Sequence, residues 1–225
     1  MQEFPGILTD ARMWQIVGLS LQVSLAAVAM AATLGLPLGA AIAVGRFPGR
    51  RALIVVLNAL MGLPPVVVGL VVYLLLSRAG PLGSLGMLFT PAAMIVAQTI
   101  LILPIIAALS RQAVEDAWRE YAEQLRSLGV DGMPAALTVL WDIRFSLVTT
   151  VLAGLGRAVA EVGAVIIVGG NIDGVTRVMT TAIALETSKG DLPLALGLGI
   201  VLMVIVLVLN AAAFLVKEAA ERRYG

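Results

Sequence analysis

Two ionisable side chains within a long apolar stretch are the residues of this sequence best placed to do chemistry. Arg157 and Glu161 are the only charged residues between positions 146 and 170. An ionisable group at membrane depth costs about 3 kcal/mol on insertion scales, so such groups usually face a cavity or one another. Four residues apart, they can pair on one face of a helix. Two interpretations stand: an ion pair that fixes helix packing, or a pair that lines a polar path between the helices.

The residue types that the sequence lacks argue against several other kinds of chemistry. There is no cysteine and no histidine, which leaves no ligands for a zinc or haem site and no histidine base, so we expect no metal and no catalytic residue. A P-loop needs Gly-x-x-x-x-Gly-Lys-Ser/Thr, and neither Lys189 nor Lys217 has that context. The net charge of +1 argues against a nucleic-acid partner, which usually requires a basic excess.

The composition places the chain in a lipid bilayer. Of 225 residues, 60% are hydrophobic and 13% are charged, whereas soluble domains have about 45–50% apolar and about 25% charged residues. A bilayer core about 30 Å thick needs about 20 apolar residues per helix. Continuous apolar runs, without the alternation of barrel strands, predict an all-α membrane protein with one domain over residues 1–225. Its five predicted spans are 13–45, 52–77, 91–110, 146–170 and 193–216.

The distribution of basic residues predicts the orientation of these spans, because cytoplasmic loops hold the excess of Lys and Arg. One side of the membrane collects ten of them: Arg46, Arg50, Arg51, Arg111, Arg119, Arg126, Arg144, Lys217, Arg222 and Arg223. The other side collects four: Arg12, Arg78, Arg177 and Lys189. We therefore expect a multi-pass protein of the cytoplasmic (inner) membrane, with its N-terminus outside and its C-terminus in the cytoplasm.

Residues 111–145, here called the coupling segment, form the one long polar stretch on the cytoplasmic side. Up to Leu128 its apolar residues follow a helical spacing, which predicts an amphipathic helix outside the membrane. These residues are Ala113, Ala117, Tyr121, Leu125 and Leu128. Gly129 is predicted to end this helix, and Asp131 and Pro134 are suited to begin a second one. The segment could serve a partner protein, or it could merely cover the ends of its own spans.

Part of the coupling segment resembles the cytoplasmic coupling motif of ABC importer permeases. That motif reads Glu-Ala-Ala, three residues, Gly, nine residues, an aliphatic residue, one residue, Leu-Pro. Here Glu123 and Gly129 occupy the first and seventh places, and Val139 occupies the aliphatic place. The two alanines and the Leu-Pro pair are replaced by other residues. The segment also lies between the third and fourth predicted spans, as it does in that family.

Other segments extend the resemblance over nearly the whole chain. Gly35-Leu36-Pro37-Leu38-Gly39 in the first span is similar to permeases of this type, and its small-residue spacing also suits close helix packing. Residues 156–164 and 169–172 resemble the branch that handles the oxyanions tungstate and molybdate. Residues 180–187 resemble the tungstate-type permeases in particular.

This resemblance implies the fold and the partners. The fold would be that of a type I ABC importer permease, five transmembrane helices with a cytoplasmic coupling helix, and the chain would be a transport subunit rather than an enzyme. Its implied partners are two cytoplasmic ABC ATPase subunits, which use the ATP, an extracellular or periplasmic solute-binding protein, and a second permease in a homodimer. No cofactor is implied in this chain. The implied mechanism is alternating access.

Two sets of candidate site residues follow. The coupling helix would bind in a groove of the ATPase, through Tyr121, Glu123, Leu125, Leu128 and Gly129. The second set belongs either to the transmembrane pathway or to helix packing: Arg157, Glu161, Gly163, Gly169, Gly170 and Asn171. The leading hypothesis is an ABC importer permease for an oxyanion, most specifically tungstate. The alternatives are a molybdate, sulfate or other anion permease of the same type, or a membrane scaffold that transports nothing.

Overall fold

A computed structural model describes residues 11–127, 129 and 132–224, and within these ranges the chain is helical, with no strand. The prediction of an all-α protein is confirmed. The described helices are α1 Ala11–Val44, α2 Arg50–Leu60, α3 Pro65–Leu76, α4 Pro91–Ser127, α5 Gly132–Asp142, α6 Arg144–Val159, α7 Gly163–Gly169, α8 Met179–Lys189 and α9 Leu192–Tyr224. A short 3-10 turn, Gly83–Leu85, lies between α3 and α4.

Three of these helices, α1, α4 and α9, are long and apolar enough to cross a membrane. Two further pairs meet the same criterion only when taken together: α2 with α3, bent by 99°, and α6 with α7, bent by 58°. Counting each pair as one span gives five, the predicted number. The pairs coincide with the predicted spans 52–77 and 146–170, so each of those spans is a broken helix rather than a continuous one.

The two breaks have different physical causes. Pro64 and Pro65 follow the end of α2. A proline lacks the N–H that would continue a helix, and it restricts the conformation of the residue before it. Pro65 then begins α3, a position where the missing N–H costs nothing. No proline lies between α6 and α7. There the carboxylate of Glu161 accepts the N–H of Ala164 at 2.8 Å, which supplies one of the bonds that a new helix start lacks.

Helix α4 differs from its prediction because it continues from the third span into the coupling segment. The sequence between Pro104 and Ser127 contains neither glycine nor proline and is rich in strong helix formers, so nothing interrupts the helix. The predicted separate helix from Arg111 is therefore its last part. Helix α8 lies between the fourth and fifth spans. The sequence analysis predicts no helix there and gives this segment only as one that resembles tungstate-type permeases.

The helices form two compact units. The first consists of residues up to Ala27, Pro64–Ile100 and Gly156–Leu209, and the second of Val28–Leu63, Leu101–Leu155 and the residues from Asn210 onward. In the first unit α1, α8 and α9 share a core of Met13, Val17, Met179, Ala182 and Leu198. In the second unit α1, α4 and α5 share a core of Ala40, Ala43, Val114 and Val139. A single domain over residues 1–225 stays a prediction.

Helices α1 and α4 approach each other closely in the second unit. A Cβ atom placed on Gly39 would lie 2.5 Å from the carbonyl oxygen of Ala107, which is shorter than any normal contact. Beside this contact, the hydroxyl of Ser110 donates a hydrogen bond to the carbonyl of Leu36, at 3.1 Å. The small residues of the first span therefore serve helix packing, as their spacing predicted.

Candidate functional site

A network of ion pairs anchors the start of the coupling segment. Glu115 on α4 accepts hydrogen bonds from Arg111, at 2.6 Å, and from Arg50 at the start of α2. Arg50 also donates to the carbonyls of Ile42, at 2.7 Å, and Ala43, at 3.1 Å. These carbonyls lie in the last turn of α1, where helical partners run out. Arg50 thus completes the end of α1 and ties it to α4.

The turn of the coupling segment has the predicted form. Helix α4 ends at Ser127, and Gly129 adopts a left-handed conformation with φ 74° before α5 begins at Gly132. A residue with a side chain would be strained there, which explains a glycine at this place of the motif. Leu128 and Asp131 lie outside the described residues. The side chains of Glu123 and Leu125 also lie outside them, so the roles predicted for these residues stay predictions.

Helix α5 presents two opposite faces. Ala135 and Val139, which holds the aliphatic place of the motif, are buried in the core with α1 and α4. Leu137 and Trp141 lie on the other face, one turn apart, with 54% and 72% of their surfaces exposed. Sequence reasoning did not select these two residues. The available signal was their spacing, since large apolar side chains two positions away from each buried one must point outward from the helix.

The buried face of α4 differs from the predicted stripe. Ala117 and Tyr121 of that stripe are half-buried, and the Tyr121 hydroxyl lies near the carboxylate of Asp142 at the end of α5. Among the described side chains of this part of α4, Arg111 and Val114 are the most deeply buried. The exposed Leu137 and Trp141 belong to α5.

The predicted ion pair of the fourth span is confirmed, and it lies at the break between α6 and α7. Arg157 contacts one carboxylate oxygen of Glu161 at 2.6 Å, and the N–H of Ala164 donates to the other at 2.8 Å. The Thr180 hydroxyl on α8 donates to the main-chain carbonyl of Glu161 at 2.8 Å. The Glu161 side chain is only 2% exposed, whereas that of Arg157 is 30% exposed. Both carboxylate oxygens therefore have partners at the junction between α6 and α7.

A buried glutamine completes this junction. The Nε2 atom of Gln98, on α4, donates to the carbonyl of Ala158 at 3.0 Å. Ala158 lies in the last turn of α6, and its carbonyl also accepts the N–H of Glu161 at 3.2 Å. Sequence reasoning missed Gln98. The signal was available, since a glutamine in an apolar span is expensive unless its amide finds a partner.

The remaining candidates lie at the two ends of α7. Gly163 begins the helix, and a Cβ atom there would lie 2.8 Å from the side chain of Val66, so α3 packs tightly against it. Gly169 ends the helix and Gly170 follows with φ 71°, so this pair marks a helix end. Asn171 then donates through its side chain to the carbonyl of Thr181, at 3.3 Å. Seven helical residues span about 10 Å, so this end is separate from the Arg157–Glu161 pair.

Comparisons with known proteins agree with the coupling motif. Residues 35–225 match the family described as binding-protein-dependent transport system inner membrane component. A "Probable anion ABC transporter permease protein" of Haloferax volcanii is 43% identical over 215 residues, 93% of each chain. The "Tungstate uptake system permease protein TupB" of Peptoclostridium acidaminophilum is 40% identical over 93% of this chain and 92% of its own.

A more distant relative is the "Molybdenum transport system permease protein ModB" of Escherichia coli strain K12. It is 32% identical over 82% of this chain and 85% of its own length. Together with the family match over most of the sequence, these similarities confirm the resemblance on which the fold and function were predicted. The chain belongs to the family of binding-protein-dependent transport system inner membrane components, the permease subunits of ABC transporters.

Proposed function

We propose that this chain is the permease subunit of an ATP-driven importer of a tetrahedral oxyanion, and that the anion is tungstate. The observation that supports this most is the 40% identity to a tungstate uptake permease over nearly the full length of both chains. The molybdenum permease is less similar, at 32% identity. Tungstate and molybdate have the same charge and nearly the same shape. The assignment to tungstate therefore depends on this difference in sequence identity.

The coupling segment supports a pair of cytoplasmic ATPase partners, which would use the ATP, with no cofactor in the permease itself. Leu137 and Trp141 form an exposed apolar surface on a helix whose opposite face is fixed in the core. An apolar helix face that binds in a groove is a recurring mode of recognition, and tryptophan is enriched among residues that dominate interface energies. The predicted contacts with the ATPase remain Tyr121, Glu123, Leu125, Leu128 and Gly129.

The remaining partners and the orientation follow the family. A solute-binding protein would deliver the anion outside, and two permeases would enclose one pathway on a two-fold axis. The excess of basic residues on one side supports an orientation with the N-terminus outside and the C-terminus in the cytoplasm, in the inner membrane. In this arrangement the junction at Glu161 positions the broken fourth span, and Gly163, Gly169, Gly170 and Asn171 shape the wall of the pathway.

Reconstituted uptake tests the proposal. The permease is inserted into vesicles with its ATPase, ATP is enclosed, and the solute-binding protein is added outside with radioactive tungstate. We expect uptake that requires ATP and the binding protein, and that unlabelled tungstate inhibits more strongly than molybdate or sulfate. Uptake without ATP would contradict the importer. Stronger inhibition by molybdate or sulfate than by tungstate would contradict the substrate while leaving the importer intact.

A further inference from the structure

A basic cavity lies where α1 ends and α2 begins, within the second unit. Its volume is about 570 Å³, and it is lined by the arginines Arg46, Arg50 and Arg51 together with the aromatic side chains of Phe47 and Trp118. Nothing in the transport function described above uses this cavity.

The charge of the cavity is positive. Arg50 is held by Glu115, but Arg111 binds the same carboxylate, so this cluster retains one positive charge. Arg46 and Arg51 are both exposed. No acidic side chain is among the described residues that line the cavity. Arg46 and Arg51 bring two guanidinium groups to this concave surface, and arginine donates paired hydrogen bonds to phosphate oxygens.

The surroundings of the cavity are apolar. It directly follows α1, whose apolar residues continue to Val44 at a length that crosses a bilayer. On α2, the side chains of Leu53, Val55 and Val56 are exposed, while Leu57 on the same helix is buried. Basic residues next to the end of an apolar span are typical of the membrane boundary, where the headgroups of anionic lipids lie.

We propose that this cavity binds the phosphodiester headgroup of an anionic phospholipid, whose acyl chains lie along the exposed side chains of α2. The arginines provide charge complementarity to the phosphate, and Phe47 and Trp118 suit the interface between headgroups and acyl chains. A free inorganic anion would satisfy the arginines but would leave the apolar surface uncovered. An amphiphile satisfies both.

Fluorescence of Trp118 provides a direct test. The sequence has three tryptophans, and the other two, Trp14 and Trp141, are more than half exposed, so replacing both by phenylalanine leaves one reporter beside the cavity. The full chain is reconstituted in phosphatidylcholine vesicles that contain a small share of brominated phosphatidylglycerol or of brominated phosphatidylcholine. Bromine quenches tryptophan only at close range. We expect stronger quenching by the anionic lipid than by the neutral one.

Variants and a competitor separate this proposal from its alternatives. Each basic residue near an anionic surface contributes about fivefold to binding, so Arg46→Gln with Arg51→Gln should reduce the preference for the anionic lipid about 25-fold. Arg78→Gln, an exposed arginine away from the cavity, should leave it unchanged. Equal quenching by both lipids, or a preference that survives the double substitution, would overturn the proposal. So would loss of the preference on adding inorganic phosphate at constant ionic strength, which would indicate a site for small anions.

Discussion

Replacing Glu161 separates the two roles of its carboxylate. Glutamine keeps an oxygen that can accept the N–H of Ala164, now bonded at 2.8 Å. It loses the charge that faces Arg157 at 2.6 Å. Alanine loses both interactions. Because the Glu161 side chain is only 2% exposed, water has little access to replace either partner, so the full cost of each loss should appear in the stability of the protein.

The magnitudes follow from these contacts. A hydrogen bond to a charged group contributes about 1.5–3 kcal/mol, and a helix-capping bond contributes about 1 kcal/mol. We therefore expect Glu161→Gln to lower the free energy of unfolding by about 2 kcal/mol and Glu161→Ala by about 3 kcal/mol. These values lie below or at the low end of the roughly 3–5 kcal/mol for breaking a fully buried pair, because Arg157 is partly exposed. The double change Arg157→Gln with Glu161→Gln should cost about as much as one single change, since both remove the same interaction.

Equilibrium denaturation of the detergent-solubilised chain, followed by tryptophan fluorescence, measures these free energies. Glu218 provides a matched control, because it pairs with Arg222 at the same spacing and the same 2.6 Å distance, but Arg222 is 79% exposed. Glu218→Gln should lower the free energy of unfolding by less than about 1 kcal/mol. The reasoning would be refuted if Glu161→Gln costs no more than Glu218→Gln, or if the costs of the two single changes add in the double variant.

Uptake measurements on the same variants separate packing from a role in the anion pathway. If the pair only fixes the junction of α6 and α7, the double variant should transport at least as well as either single variant, because it leaves no uncompensated charge. If Arg157 contacts the anion, Arg157→Gln should abolish uptake and the double variant should not restore it. Normal uptake by all three variants would remove the pair from the functional site.

Three further predictions concern helix contacts and the coupling segment. Gly69→Ala should lower the free energy of unfolding by about 1–3 kcal/mol through overpacking, because its Cβ would lie 2.7 Å from the α7 backbone. Gly18→Ala, with open space around it, should stabilise the protein in the same denaturation assay. Leu137→Ala with Trp141→Ala should leave stability nearly unchanged but weaken co-purification with the ATPase at least tenfold; unchanged binding would contradict the proposed surface. Gly129→Ala should lower the free energy of unfolding by about 1 kcal/mol, because the residue has a positive φ, and it should lower ATP-driven uptake. A variant with unchanged stability and unchanged uptake would contradict this prediction.

The spans were predictable because their causes are local. An apolar run of membrane length determines a crossing helix from its own residues, and the adjacent Pro64 and Pro65 are sufficient to explain the break between α2 and α3. Gly129 was likewise predictable as a helix end, since a turn of positive φ favours glycine. In each case the decisive residues are neighbours in the sequence.

The junction at Glu161 was only half predictable for the opposite reason. The pairing with Arg157 follows from a spacing of four residues, but the helix break that surrounds it does not. At that break, Gln98 and Thr180 donate hydrogen bonds to main-chain carbonyls. They lie 60 and 19 residues away in the sequence from the residues that they bind. Sequence spacing within one helix contains no information about such partners. The burial of Arg111 on α4 also depends partly on a distant residue, because the carboxylate of Glu115, four residues away, binds Arg50 at the start of α2 as well.

Glu115 and Glu161 perform the same physical task at different places in the chain. Each carboxylate has two partners, one of them an arginine four residues away. Glu161 lies at a helix break, whereas Glu115 lies within α4 and holds Arg50 beside the end of α1. A helix end within or beside a bilayer exposes main-chain groups that lipid cannot satisfy. Arg50 serves the carbonyls at the end of α1, and Glu161 serves the N–H of Ala164 at the start of α7. Two charge clusters of this permease thus lie where apolar helices cannot satisfy their own backbone, so we expect a charge change at either junction to impair transport.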